Sequence, residues 1–431
     1  MKSFFIFVQT QKKIKLKSCA SYIAKQNKKS ILSELPYAPL TLVIPCYNEP
    51  NILATLESIW KNEEYDKRLH IIVVVNQNED TSEECITQNK KTLQELKSVK
   101  ENYANSLHSL SILYITFPSG EDGVGAARKV GMDEAVRQYV QHGKDGIIIS
   151  LDADTIVSTN YLAEIYNAFT RNPKTNTLII NYEHPLHGLT QTQKRAIIQY
   201  ELYLRYMTLA YRYVEHPNAF HTIGSAFAVR TSAYCKQGGM NKRQAGEDFY
   251  FLQKLMAFGG CSELNTTCIF PSSRTSDRVP FGTGKAIKEL IDSNNELQTY
   301  SFKAFEELKI FFDMHESLYK ITKLDFETIV YNELGGLIKS WLIEDNFFSQ
   351  LQKINGNCAS LEIFSKKFFE SFSILQIIKY LNFSHTHFVQ KSGIYHAISC
   401  LPQSEIFDFQ NPKSLLLSVR RYLQKDTFVK L

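Results

Sequence analysis

Between residues 41 and 152 the chain alternates short apolar runs with longer amphipathic stretches. The runs are TLVIP (41–45), HIIVVV (70–75), LSILYIT (110–116) and GIIISLD (146–152). Continuous rather than alternating apolar character predicts strands buried on both faces. EPNILATLESIWKN lies between the first two, with Pro50 near the start of a helical period. Residues 82–105 read as a polar helix, and residues 123–140 as a helix with Ala, Val and Met at helical spacing. Four strand–helix alternations predict an α/β fold, a mostly parallel sheet with helices on both faces. Ligands of such sheets bind outside the carboxyl ends of the strands, where Pro45, Asn76 and Asp152 fall.

Beyond Asp154 the pattern is less regular. A helix is expected near Asn160, a strand over 175–183 and a long helix over 189–214. Residues 220–230 read as a strand with a Gly-Ser turn inside it. Residues 246–260 read as a helix closed by Gly259 and Gly260. A last strand, 266–271, leads into the loop SSRTSDRVPFGTG (272–284), and helical patterns dominate from Lys285. The organisation expected is a basic arm (1–37), an α/β domain (38–284) and a helical region (285–431).

Composition sharpens this. Hydrophobic residues make up 44% and charged residues 22% of 431 positions, enough for a sizeable core. Residues 1–30 hold eight lysines and no acid, so removing those eight charges from the +5 total leaves −3. A mildly acidic body argues against a nucleic-acid partner. The arm is expected to be a solvated terminus or a peripheral contact with anionic lipid. FFIFV (4–8) is too short for a signal-peptide core, and no apolar run approaches the roughly 20 residues that span a bilayer. The eight cysteines show no framework spacing, which fits reduced thiols in a cytoplasm.

The candidate chemistry sits in three motifs: VIPCYNE (43–49) at the end of the first strand, Asp152-Ala153-Asp154 at the end of the fourth, and Gly246-Glu247-Asp248 opening a helix. A fourth segment, Gly123 to Gly131, carries Arg128 in a G-x-x-x-A-R-x-x-G helix start. In this order the motifs resemble the family 2 glycosyltransferases of the GT-A fold, over roughly residues 38–280.

The resemblance implies a transfer of sugar from a nucleotide-diphosphate donor to a sugar or lipid-linked acceptor, as in cell-envelope polysaccharide synthesis, with a divalent cation (Mn²⁺ or Mg²⁺) as cofactor. Asp154 is implied as direct metal ligand, and Asp152 as a ligand acting through ribose or water. The period of two along a strand would turn both to one side. Asp277 or His221 stands open as a third ligand. Asp248 is implied as the base that takes the acceptor proton, with Glu247 in support, and the helix N-terminus favours their ionised forms. Donor contacts are implied for Pro45, Tyr47, Asn48, Glu49 and Asn76. Arg128 would pair Asp152 or the donor, and Arg274 and Arg278 would reach the diphosphate. Gly224 and Ser225 fall on the acceptor side.

Two departures matter. Asn76 and Gln77 stand where the family commonly has two aspartates, which opens the choice between uracil and a purine. The Gln-x-x-Arg-Trp signature of processive members is absent, so a non-processive enzyme is expected. An inverting mechanism leads. A retaining GT-A transferase and a catalytically inactive nucleotide-sugar-binding scaffold are the alternatives.

Overall fold

A computed structural model describes residues 17–26, 28–102, 107–121, 123–241, 246–275 and 282–430. The four predicted strands form where the apolar runs are longest: β1 (Leu40–Cys46), β2 (Leu69–Asn78), β3 (Ser109–Phe117) and β4 (Ile147–Ser150). Every residue of β1 and β4 is buried, as runs covered on both faces require. They are joined by β5 (Ile156–Val157), β6 (Thr177–Tyr182), β7 (Phe227–Arg230) and β8 (Cys261–Phe270). Two short strands, β9 (Gln298–Thr299) and β10 (Ser392–Gly393), pair only with each other. β11 (Val429–Lys430) returns to the large sheet.

The large sheet runs β11-β8-β6-β7-β4-β1-β2-β3, with β5 paired to β8. β1, β2, β3 and β4 are mutually parallel, and β6 and β8 share their direction through the antiparallel β7. The fold is therefore α/β with a mostly parallel sheet, as the alternating pattern predicts. β7 is shorter than the apolar text of 220–230 suggests. Its first half is a turn, closed by the Ala226 N–H donating to the Ile223 carbonyl at 3.0 Å.

Helices α2 (Ile52–Trp60), α3 (Glu83–Asn102), α4 (Val124–Gln141) and α5 (Tyr161–Arg171) cover this sheet, and α1 (17–26) lies on α4. α4 lies unusually close to the strands. A Cβ on its Gly131 would stand 2.5 Å from Val43 Cγ1 and 3.0 Å from Val74 Cγ2, so only glycine permits this approach. α6 (Gln191–Tyr213) belongs to a second compact unit, and α7 (Thr231–Lys236) and α8 (Glu247–Phe258) to the first.

The first unit comprises residues 1–187, 222–285 and 423–431; the second comprises 188–221 and 286–422. The second is helical, as expected from Lys285 onward. Phe311, Phe312, Phe347, Phe368 and Phe372 form its aromatic core, with ring centroids 5.2 to 6.4 Å apart. Within it the buried Glu201 carboxylate accepts from Arg205 Nε at 2.8 Å and from Arg420 Nε and Nη2 at 2.7 Å each. No helix among the described residues is long and apolar enough to cross a membrane.

The described part of the basic arm, 17–37, is not a frayed terminus. Its lysines (Lys17, Lys25, Lys28 and Lys29) are exposed, but its other face is held on α4 by polar contacts. Tyr22 Oη donates to Asp133 Oδ1 at 2.8 Å, and Cys19 is buried. The buried Glu134 carboxylate accepts from Ser30 Oγ (2.8 Å), Ile31 N (3.1 Å) and Leu32 N (3.3 Å), and pairs with Arg137 at 2.7 Å. Gln138 accepts from Leu35 N and donates to the Ser33 carbonyl. Polar anchoring leaves no apolar period to read, which is why the sequence suggests a loose tail.

Removing one partner of a buried charge network strands the other, at a cost of about 3–5 kcal/mol. Glu134→Ala should therefore lower the urea midpoint strongly and expose the 17–37 segment to protease. An unchanged midpoint would remove the strap from the account of stability.

Candidate active site

The carboxyl ends of β1, β2 and β4 open together, and two arginines organise them. Arg128, the fifth residue of α4, is 2% exposed. Its Nη1 donates to Glu247 Oε1 at 2.6 Å and its Nη2 to Asp152 Oδ1 at 2.8 Å. Burial alone would lower the Arg128 pKa; Asp152, Glu247 and Asp248 more than offset this and hold it above its ordinary value. Arg274, after β8, donates through Nη1 to Glu49 Oε1 at 3.0 Å and through Nη2 to Glu49 Oε2 and to Asp154 Oδ2, the last at 3.0 Å. Each aspartate of the Asp-x-Asp pair thus has its own guanidinium.

The pair itself is not in a strand. β4 ends at Ser150, and residues 152–155 turn, with Thr155 N donating to the Asp152 carbonyl at 3.2 Å. Thr55 Oγ1 holds the Ala153 carbonyl at 2.8 Å. The period of two is therefore not what aims these side chains; the turn and the two arginines are. Both remain accessible, Asp152 at 39% and Asp154 at 24% side-chain exposure.

Glu247 and Asp248 open α8, as expected, but burial outweighs the helix terminus. Desolvation raises both carboxyl pKa values; Arg128 pulls them down, and the neighbouring carboxylates push them further up. Gly224 lies against this group. A Cβ there would stand 2.7 Å from Asp248 Oδ2 and 3.0 Å from Arg128 Nη1, so the backbone of the turn occupies space that any side chain would contest. Ser225 beside it is buried.

On the other side of the opening, Pro45 is in β1, opposite Val74 of β2, and Asn76 is buried near the end of β2. Tyr47 is half-buried, and Asn48 adopts a left-handed backbone with φ 48°. Gln77 accepts from Tyr114 Oη at 2.6 Å, away from Asn76 as strand alternation requires. Two residues not singled out from the sequence join this group. Asn89 Oδ1 accepts from Asn48 N at 2.9 Å and its Nδ2 donates to the Asn76 carbonyl at 3.1 Å, while Thr92 Oγ1 donates to the Glu49 carbonyl at 2.9 Å. Their signal was a polar pair on the buried stripe of α3, in line with Ile86 and Leu96. Arg278 and Asp277 lie outside the described residues. His221 belongs to the second unit, and no group of three or more His, Cys, Asp and Glu that could hold a metal gathers among the described residues.

Residues 41–236 match the family model described as Glycosyl transferase family 2. The chain carries a family 2 glycosyltransferase domain. Both Asp152 and Arg128 fall inside this matched segment, whereas Glu247, Asp248 and Arg274 follow it. No curated protein matches the sequence. Among solved structures, the chain is similar to S. aureus TarS 1-349 in complex with UDP, at 16% identity and TM-score 0.37, covering 68% of this chain and 78% of that one. It is similar to the Pyrobaculum calidifontis mannosyltransferase PcManGT in complex with GDP-Man and Mn²⁺, at 11% identity and TM-score 0.33, covering 86% and 95%. It is also similar to the Mycobacterium tuberculosis glucosyl-3-phosphoglycerate synthase in complex with Mn²⁺, UDP and phosphoglyceric acid, at 11% identity and TM-score 0.31, covering 61% and 83%.

The raised carboxyl pKa values of Glu247 and Asp248 have a stability consequence with a definite sign. An acid whose folded pKa is raised is penalised in its charged form. The penalty is absent at low pH, where folded and unfolded carboxyls are both protonated, and grows as pH rises from the ordinary carboxylate range through the raised value. Asp248→Asn removes that charge. Its thermal midpoint should exceed the wild type's by a few degrees at pH 7.5, with the gain shrinking toward zero near pH 4. A variant less stable than wild type at both pH values would contradict the raised pKa.

Proposed function

We propose that this glycosyltransferase is a non-processive, inverting, metal-dependent enzyme that moves a sugar from a nucleotide-diphosphate donor to an acceptor hydroxyl. The observation that carries this reading is the convergence of Asp152, Glu247 and Asp248 on one buried arginine at the strand ends. Bringing three carboxyls together costs stability, and a purely structural site has no use for the arrangement.

Asp248 is the base. The acceptor oxygen attacks the anomeric carbon, its proton passes to an Asp248 carboxylate oxygen, and the bond to the diphosphate oxygen breaks with its electron pair leaving on the nucleotide. A raised pKa suits Asp248 to this task, because it brings the base closer to the working pH. Arg128 holds Glu247 and keeps the charged pair tolerable in a buried setting. The Gly224 backbone packs tightly against Asp248 and Arg128 on the acceptor side, where no larger residue would fit. Asn76, Asn48 and Tyr47 face the base and ribose, with either UDP- or GDP-type donors served by Asn76.

The donor set fits a divalent cation. Glu49, Asp152, Asp154 and Glu247 outnumber the two guanidinium groups, all four offer hard oxygen, and Mg²⁺ or Mn²⁺ takes one or two carboxylates with substrate phosphate and water completing the shell. Asp154 and Asp152 would hold it. When bound, such an ion supplies Lewis-acid stabilisation of charge on the leaving diphosphate. Arg274, paired with Asp154 and Glu49, is placed to turn to that diphosphate. The exposed lysines of 17–29 offer a peripheral contact to anionic lipid, which suits a lipid-linked acceptor.

Two measurements test this. Asp154→Ala should lose the Mn²⁺-dependent part of UDP or GDP affinity in calorimetry; an unchanged affinity for the preferred nucleotide would remove the metal role. Asp248→Asn should cut transfer by roughly 10²–10⁴-fold, the worth of a positioned base, while nucleotide affinity holds. Near wild-type transfer by this variant would end the assignment of the base.

A further inference from the structure

We infer that Asn89, assisted by Thr92, is a positioning residue of the donor site, fixing the gap between the carboxyl ends of β1 and β2 in which the base and ribose lie. The inference rests on the donor reading above. α3 is polar along most of its length, yet Asn89 and Thr92 have no exposed surface. Both direct their polar atoms to backbone rather than to solvent. A single carboxamide spans the two strands, accepting from the Asn48 N–H and donating to the Asn76 carbonyl. Three residues on, Thr92 fixes the Glu49 carbonyl, and Gln88 Nε2 in turn donates to Thr92 Oγ1 at 3.2 Å.

The chemistry of the brace is specific. An amide side chain both accepts and donates in one plane, from atoms close enough to reach two neighbouring backbone groups. An aspartate would keep the acceptor for Asn48 but set an oxygen against the Asn76 carbonyl. An alanine would remove both bonds, the one from the Asn48 N–H and the one to the Asn76 carbonyl. Asn48 holds a left-handed backbone, which asparagine adopts more readily than most residues other than glycine, and the bond from its N–H to Asn89 fixes that turn. The same turn aims the Glu49 carboxylate, whose Oε1 accepts from Asn51 N at 2.8 Å and from Arg274. Asn89 thus touches no substrate and acts through Asn48, Asn76 and Glu49. Displacement of either strand end by about 1 Å would be felt by the nucleotide.

The test compares Asn89→Ala and Asn89→Asp with a matched control, Asn62→Ala. Asn62 is a buried asparagine of the same kind: its Oδ1 accepts from Leu162 N at 2.8 Å and its Nδ2 donates to the Ser58 carbonyl at 3.0 Å, bracing α2 to α5. UDP and GDP affinities, each with Mn²⁺, are measured by calorimetry well below the thermal midpoint of every variant. Asn89→Ala should weaken the preferred nucleotide at least tenfold and narrow the UDP-to-GDP preference. Asn89→Asp should fall between it and wild type, and Asn62→Ala should lose stability with affinity within twofold. If Asn89→Ala folds too poorly to measure, the aspartate variant alone carries the result: wild-type affinity and preference would overturn the inference. So would equal weakening by Asn62→Ala. If wild-type protein binds neither nucleotide, the donor reading and this inference fall together; if it binds and the Asn89 variants bind equally well, only the inference falls.

Discussion

The buried Arg128 guanidinium is the constraint on which the rest of the site depends. Two ionised acids at the mouth of a sheet repel each other and lose hydration, and neither cost is met by backbone alone. One planar cation with its donors divided between Asp152 and Glu247 meets both. Its own position is a packing matter. Gly131, one turn further along α4, lets that helix lie against Val43 and Val74, and this depth sets where the guanidinium ends. A choice of glycine in a helix–sheet contact thus fixes the electrostatics of the opening.

A second guanidinium answers the first at the same turn. Arg274 gathers Glu49 and Asp154, so the two aspartates of one turn are held from two distant parts of the chain. The arrangement divides the labour. The Arg128 guanidinium is buried, whereas that of Arg274 is part-exposed.

Much of the sheet was legible because continuous apolar runs leave one assignment for a strand of that length. The motif residues were legible as types. What was not legible came from contacts without period. Asn89 looked like one more polar residue of a polar helix, and its meaning appears only when Asn48 and Asn76 are brought to either side of it. Segment 17–37 is held by Glu134 and Gln138, polar residues of α4 that the Ala, Val and Met period of that helix does not mark. Residues 188–221 pack with the later helices although strands precede and follow them, a pairing that only tertiary contact reveals. The aspartate pair was assigned to a strand because the apolar run continues to Leu151; the turn that takes over is set by Thr55, almost a hundred residues earlier.

The pairing of β11 with β8 has a consequence for how the chain is made. β8 is complete at Phe270, but Val429 and Lys430, which pair with Ser262 and Cys261, emerge only after the whole of the intervening helical segment. At roughly 5–20 residues per second, that interval is on the order of ten seconds or longer. During it, part of one margin of the nascent sheet offers free N–H and C=O groups, the sort of surface that recruits a neighbouring chain. Until residues 429 and 430 arrive, the start of β8 is therefore a point at which the nascent chain is open to mispairing.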